Sequence, residues 1–348
     1  MRTEKEIIAA SKEFIGENKA KSWFEFLITV VLISSLLTLC FFQEVPFLAR
    51  LAASITCGLL YVRLFVIYHD YRHRSILLGS TVASLLMKLV GLYVLAPEQI
   101  WTRSHEHHHN NNSKLTMSGI GSYPTVSKSR FLKLTKAQRQ LYLINRHPLT
   151  IIFGYFTLFI YWLNLKSFLE SPRKHIDSLA AIVLHVAVAA VIWYFFGFVT
   201  YVLTWFLPIF IMSGMGAYLF YCQHNFPGAK FRENHDWSYT NAALSSTSYM
   251  VMSPVMHWFT ANIGYHHVHH INSRIPFYRL KEAMKSMPEL STVVTTSWNP
   301  IDIWRCFRLK VWDDETEQMI TLRQLKSTQS AVRKNQQAVV AEEPVLKD

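Results

Sequence analysis

Cysteine is scarce in this chain. The 348 residues hold four, Cys40, Cys57, Cys222 and Cys306, and none of their spacings resembles a zinc ribbon or a disulfide framework. A cysteine-rich cluster motif is absent, so no built-in iron–sulfur group is expected. Acidic residues are also few, with 23 Asp and Glu against 35 Lys and Arg. In a soluble protein that excess would point to nucleic acid. Here apolar residues make up 51% of the chain and gather into long runs, which points to a membrane and to no nucleic-acid partner. The N-terminus, Met-Arg-Thr-Glu-Lys-Glu, is mixed in charge and is not followed by a short apolar core with a cleavage site, so it does not read as a signal peptide. No internal repeat stands out beyond two loosely similar helical hairpins.

The apolar runs set the architecture. Residues 1–22 read as a polar, partly amphipathic helix at the cytoplasmic surface. Trp23 to Phe42 is nearly uncharged and about as long as a bilayer requires. After the break Gln43-Glu44-Val45-Pro46, a second run, 47–68, carries Arg50 near its start and Arg63 near its end, where an arginine can snorkel. Two further runs, 178–197 and 200–222, are separated only around Gly197. Two crossings precede each later histidine-bearing region, so all histidine clusters and both termini share one side. Lys and Arg concentrate there, which makes that side cytoplasmic. Residues 76–97 and 149–165 read as interfacial or partly inserted helices. From Asn225 to about 325 the chain reads as a cap of helices, and 326–348 as a disordered tail. The expected fold is an all-α integral membrane protein with four transmembrane helices in two hairpins, interfacial helices, and a cytoplasmic helical cap holding a di-metal site. Residues 23–325 form its membrane domain.

Three histidine clusters carry the chemistry. On a helix each residue advances about 100°. His266, His269 and His270 therefore share a sector that excludes His267. His105, His108 and His109 share a face, with His107 nearly opposite. His69 and His73 lie one turn apart on one face. Eight imidazoles converging on one place are too many for one metal ion. Two ions with four or five nitrogen ligands each would suit them, and neutral imidazole suits iron, copper, zinc or nickel. Iron is the usual choice for dioxygen chemistry. Asp70 and Glu106 are placed to orient ligand rings. His147, His175, His185 and His257 read as structural, although His185 sits mid-span, where an ionisable group invites a functional reading. His235 reads as surface or supporting.

These residues carry a family resemblance. His-Asp-Tyr-Arg-His at 69–73, His-Glu-His-His-His at 105–109 and His-His-Val-His-His at 266–270 resemble the three histidine boxes of membrane fatty-acid desaturases. Trp-Thr-Arg-Ser-His before the second box is similar too, as are Gln-His-Asn-Phe at 223–226 and His-Asp-Trp-Ser-Tyr at 235–239. The first box, with three residues between its histidines, resembles the acyl-lipid branch of bacteria and plastids, the delta-12/omega-6-like desaturases. The likeness spans roughly residues 30 to 310.

The resemblance implies two iron ions held by His69, His73, His105, His108, His109, His266, His269 and His270, with His224 added at the end of the last span. No catalytic residue beyond these ligands is implied. His107, His267 and Asn262 stand as supporting candidates, and Asn262 or Asn225 as the group that positions a bound water. The implied reaction is O2-dependent insertion of a double bond into a fatty acyl chain lying in a tunnel between spans and cap. The sequence has no flavin fingerprint, and His147-Pro148-Leu149 lacks the glycines of a haem-binding motif. Electrons are therefore expected from an external donor, ferredoxin or a b-type cytochrome. The branch points to a bacterial inner membrane, with endoplasmic reticulum as the alternative. A hydroxylase or ketolase acting on alkanes, sterols or carotenoids is the rival reading on the same scaffold. A membrane haem protein would place histidine pairs on facing spans, and a metal transporter would place polar groups at mid-membrane. Neither pattern is present.

Overall fold

The computed structural model describes residues 2–116, 121–328 and 330. Among them, Lys19–Phe41, Phe47–Arg72 and Ile176–Cys222 are long and apolar enough to cross a membrane. The first two, α1 and α2, form an antiparallel hairpin whose turn runs from Phe42 to Pro46. Asn18 starts α1 by accepting from the Lys21 backbone N–H, which satisfies one of the donors a helix leaves open at its N-terminus. α2 is the central pillar. Two thirds of its apolar window, 67%, is buried against 22% for α1. At Gly58 an added Cβ would fall 2.8 Å from the Ile211 side chain. The glycine therefore allows α2 to approach the 176–222 segment more closely than any larger residue would.

Two arginines fasten this hairpin in place. Arg50 donates from Nε to the Cys40 carbonyl at 3.0 Å and from its guanidinium to Thr200 Oγ1 at 3.2 Å. Arg63 departs from the snorkelling expected of it. It is only 2% exposed, donates to Thr29 Oγ1, the Trp258 carbonyl and the Glu25 carboxylate, and lies 4.2 Å from the Trp258 ring centroid. A buried guanidinium needs this many partners. They come from the neighbouring membrane helix α1 and from the 254–259 segment above it.

Residues Thr81–Tyr93 (α3) form a helix of 13 residues, about 20 Å long and too short to cross a core of about 30 Å. Its exposed Val82, Leu85 and Leu89 face outward. The chain then bends by 86° into Glu98–Asn111, α4. The aromatic stretch 149–165 continues the helix Pro148–Ile152 into a π-helical segment, Tyr155–Lys166. Phe153, Phe156, Tyr161 and Trp162 are exposed along it.

Ile176–Cys222 spans 47 residues, which as one straight rod would reach about 70 Å. Instead Ile176–Tyr201 (α5) is interrupted at Gly197, with φ 83° and ψ 167°, and the chain doubles back toward Leu207–Cys222 (α6). Trp193 stacks on Tyr201 at 5.8 Å, and Trp205 Nε1 donates to His185 Nε2 at 3.2 Å. These pairs bracket Gly197 as the arms of a hairpin do. Its turn meets that of the first hairpin, where the Phe41 and Phe196 rings lie 4.9 Å apart. At the other end, Asp177 accepts from the Gln99 N–H at the start of α4. Both hairpins therefore open toward the histidines.

The region after Asn225 corrects the all-α expectation. It holds two small sheets among its short helices. Strand β1, Tyr249–Val251, pairs in parallel with β2, Thr295–Ser297, and β3, Leu309–Asp313, pairs antiparallel with β4, Gln318–Thr321. Strands of three to five residues are too short for periodicity to separate from helix. The β-branched Val294-Thr295-Thr296 run was the signal available. Of the expected tail, 326–328 is helical, and 329 and 331–348 lie outside the described residues.

Gly197 yields a prediction. Its conformation is open to glycine alone, although no atom lies within 4 Å of a built Cβ. Gly197→Ala should lower stability by about 1–3 kcal/mol through backbone strain. The check is the thermal midpoint in detergent, and an unchanged midpoint would show that the turn relaxes at no cost.

Candidate metal centre

Four elements deliver nine imidazoles to one place. His69 sits in the last turn of α2 and His73 caps it. His105, His108 and His109 come from α4, and His224 follows α6 by two residues. The last three lie on a six-residue helix, His266–Ile271 (α7). This helix is entered through Ala261 and Asn262, whose φ values of 43° and 58° are left-handed. That tight entry lets a short helix present residues i, i+3 and i+4 inward.

The nine form two groups. His69, His73, His105, His109 and His269 make one, and His108, His224, His266 and His270 the other, with the ring nitrogens of each group within 4.8 Å of one another. Within the first, Nε2–Nε2 separations are 2.8 Å for His69–His105, 3.1 Å for His105–His109 and 3.2 Å for His109–His269. Within the second they are 2.9 Å for His224–His266, 3.2 Å for His266–His270 and 3.3 Å for His108–His270. Two nitrogens each about 2.1 Å from a shared transition metal and at right angles to one another would lie about 3.0 Å apart. The spacing fits ligands turned toward a common ion. His73 Nε2, buried and without a hydrogen-bond partner, fits the same description. The groups adjoin where the His109 and His270 rings stack at 4.3 Å.

Burial holds these rings neutral, the form that binds metal. Desolvation is the leading cause of pKa values well below the ordinary histidine range at His73, His266, His269 and His270, and neighbouring imidazoles add to it. His224 is pushed down to about 3 by burial.

A cavity of about 390 Å³ leads to this centre. Trp101 and His105 from α4 line one side, and Leu158, Phe159 and Leu163 line another. Phe220 also lines it, and its ring lies 4.8 Å from that of His108 and 5.6 Å from that of His224.

The sequence model of the fatty acid desaturase family matches residues 46–298, a stretch that contains all nine histidines. The chain belongs to the fatty acid desaturase family. It is 29% identical over 285 residues to a fatty acid desaturase of Bacillus subtilis (strain 168), covering 81% of this chain and 80% of that one. It is 24% identical to the sn-1 oleoyl-lipid 12-desaturase of Synechocystis sp. (strain ATCC 27184 / PCC 6803 / Kazusa), over 85% of this chain and 82% of the relative. An sn-1 acyl-lipid omega-3 desaturase (ferredoxin) of the same organism is 26% identical over 73% and 71%. This chain is accordingly an oxidoreductase of the desaturase type.

Around the desaturase's imidazoles, the supporting residues sort clearly. Asp70 Oδ1 accepts from His69 Nδ1 at 3.2 Å, and its Oδ2 accepts from the Phe277 backbone N–H at 2.7 Å. Asn262 Nδ2 in turn donates to the Phe277 carbonyl at 3.2 Å. His224 Nδ1 donates to the Ser246 carbonyl at 3.3 Å. The bonds at His69 and His224 fix a tautomer and leave Nε2 with its lone pair inward, while the Phe277 and Asn262 bonds hold Asp70 and its loop in place. His267 is buried but faces away, donating from Nε2 to the Leu290 carbonyl. His107 is half-buried beside Asn111, and Glu106 is exposed and in neither group. Asn225 is occupied by Arg146, Tyr221 and the Cys306 carbonyl.

The remaining histidines lie outside the two groups. His185 accepts from Tyr155 and Trp205, His147 caps Pro148–Ile152, His257 stacks on Tyr265, and His235 is exposed beside Asp236. Sequence reasoning missed Trp101, stacked on His105 at 4.9 Å and 13°, although four-residue spacing from a ligand on a helix was a usable signal.

Two outcomes follow for this centre. Asp70→Asn should weaken metal retention by about 10–100-fold, read as metal per chain after graded chelator dialysis, and full retention would remove Asp70 from any role on His69. The metal-free protein should also lose stability as pH falls from 7 toward 4. The unfolded chain binds protons below its histidine pKa of about 6.5, whereas the buried rings refuse them until far lower pH. Melting curves across that range check the sign.

Proposed function

We propose that this protein introduces a carbon–carbon double bond into the acyl chain of a membrane lipid, with O2 as oxidant, at two iron ions. His69, His73, His105, His109 and His269 hold one, and His108, His224, His266 and His270 the other. The observation that carries the reading is the meeting of two all-imidazole groups at the end of an apolar-walled cavity. Imidazole-only sites suit several metals, and O2 chemistry on an unactivated chain favours iron. Relatives described as acyl-lipid desaturases, one of them ferredoxin-dependent, support the substrate class and an external electron donor.

Bound there, the iron pair supplies the O2 activation that an unactivated C–H bond requires. The overall reaction removes two hydrogens from adjacent carbons. With two electrons and two protons from outside, one O2 becomes two waters. The chain's own residues orient and exclude. Leu158, Phe159 and Leu163 would take the methylenes and keep water out. Phe220 would press the acyl chain past His108 and His224. Trp101 keeps the His105 ring in one plane, while Asp70 and the Ser246 carbonyl hold the Nδ1 protons of His69 and His224 away from the metals. Four crossings, with the centre and both termini cytoplasmic, would place the donor on the inner membrane face.

The deciding experiment is the fatty-acid profile of a host expressing the chain, with double bonds located by mass spectrometry beside an empty-vector strain and the His269→Ala variant. One new double bond at a defined position is expected, falling by more than about 100-fold in the variant together with a loss of bound iron. Hydroxylated or keto products would assign the chain to oxygen insertion instead. Normal activity and iron in His269→Ala would remove that residue from the ligand set.

A further inference from the structure

The cavity that reaches His105 changes character along its length. Leu158, Phe159 and Leu163 line it with hydrocarbon, while Arg103, Lys166, Glu170, Ser171 and His175 also line it. Lys166 pairs with Glu170, Arg103 and Glu170 both act electrostatically on His175, and the exposure of Arg103 and Glu170 marks this cluster as the outer end. Arg103 is exposed and has no ion pair among the described residues. Lys166 shares its charge with Glu170 and lies 4.8 Å from the Trp162 ring centroid. His175 is only 4% exposed, and its Nδ1 has no hydrogen-bond partner. Trp101 Nε1, on another cavity-lining residue, is likewise buried and unpartnered. Buried polar atoms left without partners are costly in a finished site. Together these groups amount to an excess of positive charge and spare hydrogen-bonding atoms where the apolar wall ends.

The surroundings say where this end lies. Tyr161, Trp162, Leu165, Leu169 and Ile176 are all exposed beside it. Aromatic rings next to Lys and Arg at the end of an apolar surface mark the headgroup level of a bilayer. A water-soluble carrier would have to cross that apolar rim, whereas a lipid already in the membrane enters sideways, chain first.

From this arrangement we propose that the outer end of the cavity binds the phosphate of an intact glycerophospholipid, clamped by Arg103 and Lys166, while the acyl chain runs inward to His105. The inference deepens the desaturase reading and rests on it, since it specifies what the acyl chain is attached to. Guanidinium and ammonium groups make charge-assisted bonds to phosphate oxygens. Glu170 would release Lys166 to the ligand, and His175 and Trp101 offer the further donors.

The test is a binding measurement that needs no turnover. Purified, iron-loaded protein in lipid-free detergent is titrated with dioleoylphosphatidylglycerol, dioleoylglycerol, glycerophosphoglycerol and oleoyl-CoA, following tryptophan fluorescence. The phospholipid should bind more tightly than the diacylglycerol by about tenfold or more. The Arg103→Gln/Lys166→Gln double variant should lose that preference while keeping its iron and its affinity for diacylglycerol, and Arg103→Lys should restore part of it. Equal binding of the two lipids, or an unchanged preference in the double variant, overturns the proposal. A headgroup fragment that binds as tightly as the lipid would assign a soluble-phosphate site, and Arg103-dependent binding of oleoyl-CoA above the phospholipid would assign a thioester carrier; either overturns it. The two readings fail separately. Phospholipid preference without any new double bond in the host would sink desaturation alone, and desaturation without headgroup preference would sink the clamp alone.

Discussion

Nine imidazole nitrogens turned toward one another inside a protein impose the constraint on which everything else depends. To hold metal, each would present a lone pair, so each ring would be neutral with its proton on the far nitrogen. Burial supplies the first condition and pushes the free rings away from protonation. The second is met at His69 by Asp70 and at His224 by a backbone carbonyl. Because the rings come from four elements, a shift of one helix by a single residue would turn its histidines about 100° away.

The register is held by a few polar ties. Asp70 binds His69 with one oxygen and the Phe277 backbone with the other, so one carboxylate both orients a ring of the first histidine group and anchors the loop after α7. Arg63 joins α1, α2 and the Trp258 carbonyl a short way below. Neither tie contributes much as a surface ion pair would be reckoned. Buried and multiply bonded, however, each becomes costly to break, because removing one partner strands the others.

Much of this was legible in the sequence. The spacing of His105, His108 and His109, and of His266, His269 and His270, shows which rings share a face, because helical periodicity is strong even in short segments. Asp70 is adjacent to His69, so its role could be read directly. The Gly197 break marked the second hairpin. What could not be read were partners supplied by backbone atoms. Phe277 enters through its N–H and Ser246 through its carbonyl, and any residue type would serve. Glu106 misled for the converse reason: a carboxylate next to a histidine is a plausible partner until the helix turns it outward. Arg63 misled because a charge near a span's end usually reaches for water, whereas here the 254–259 segment comes down to meet it.

Arg50 has a mechanical consequence. At the end of the bundle far from the histidines it links the first hairpin's turn to Thr200 beside the second, while the histidines themselves join the hairpins at the near end. A bundle pinned at both ends cannot let its halves slide past one another. In a thicker or thinner bilayer, hydrophobic mismatch must then be met by tilting the whole unit or deforming the surrounding lipid. The arrangement of the two histidine groups, built from both hairpins, is thereby insulated from membrane thickness.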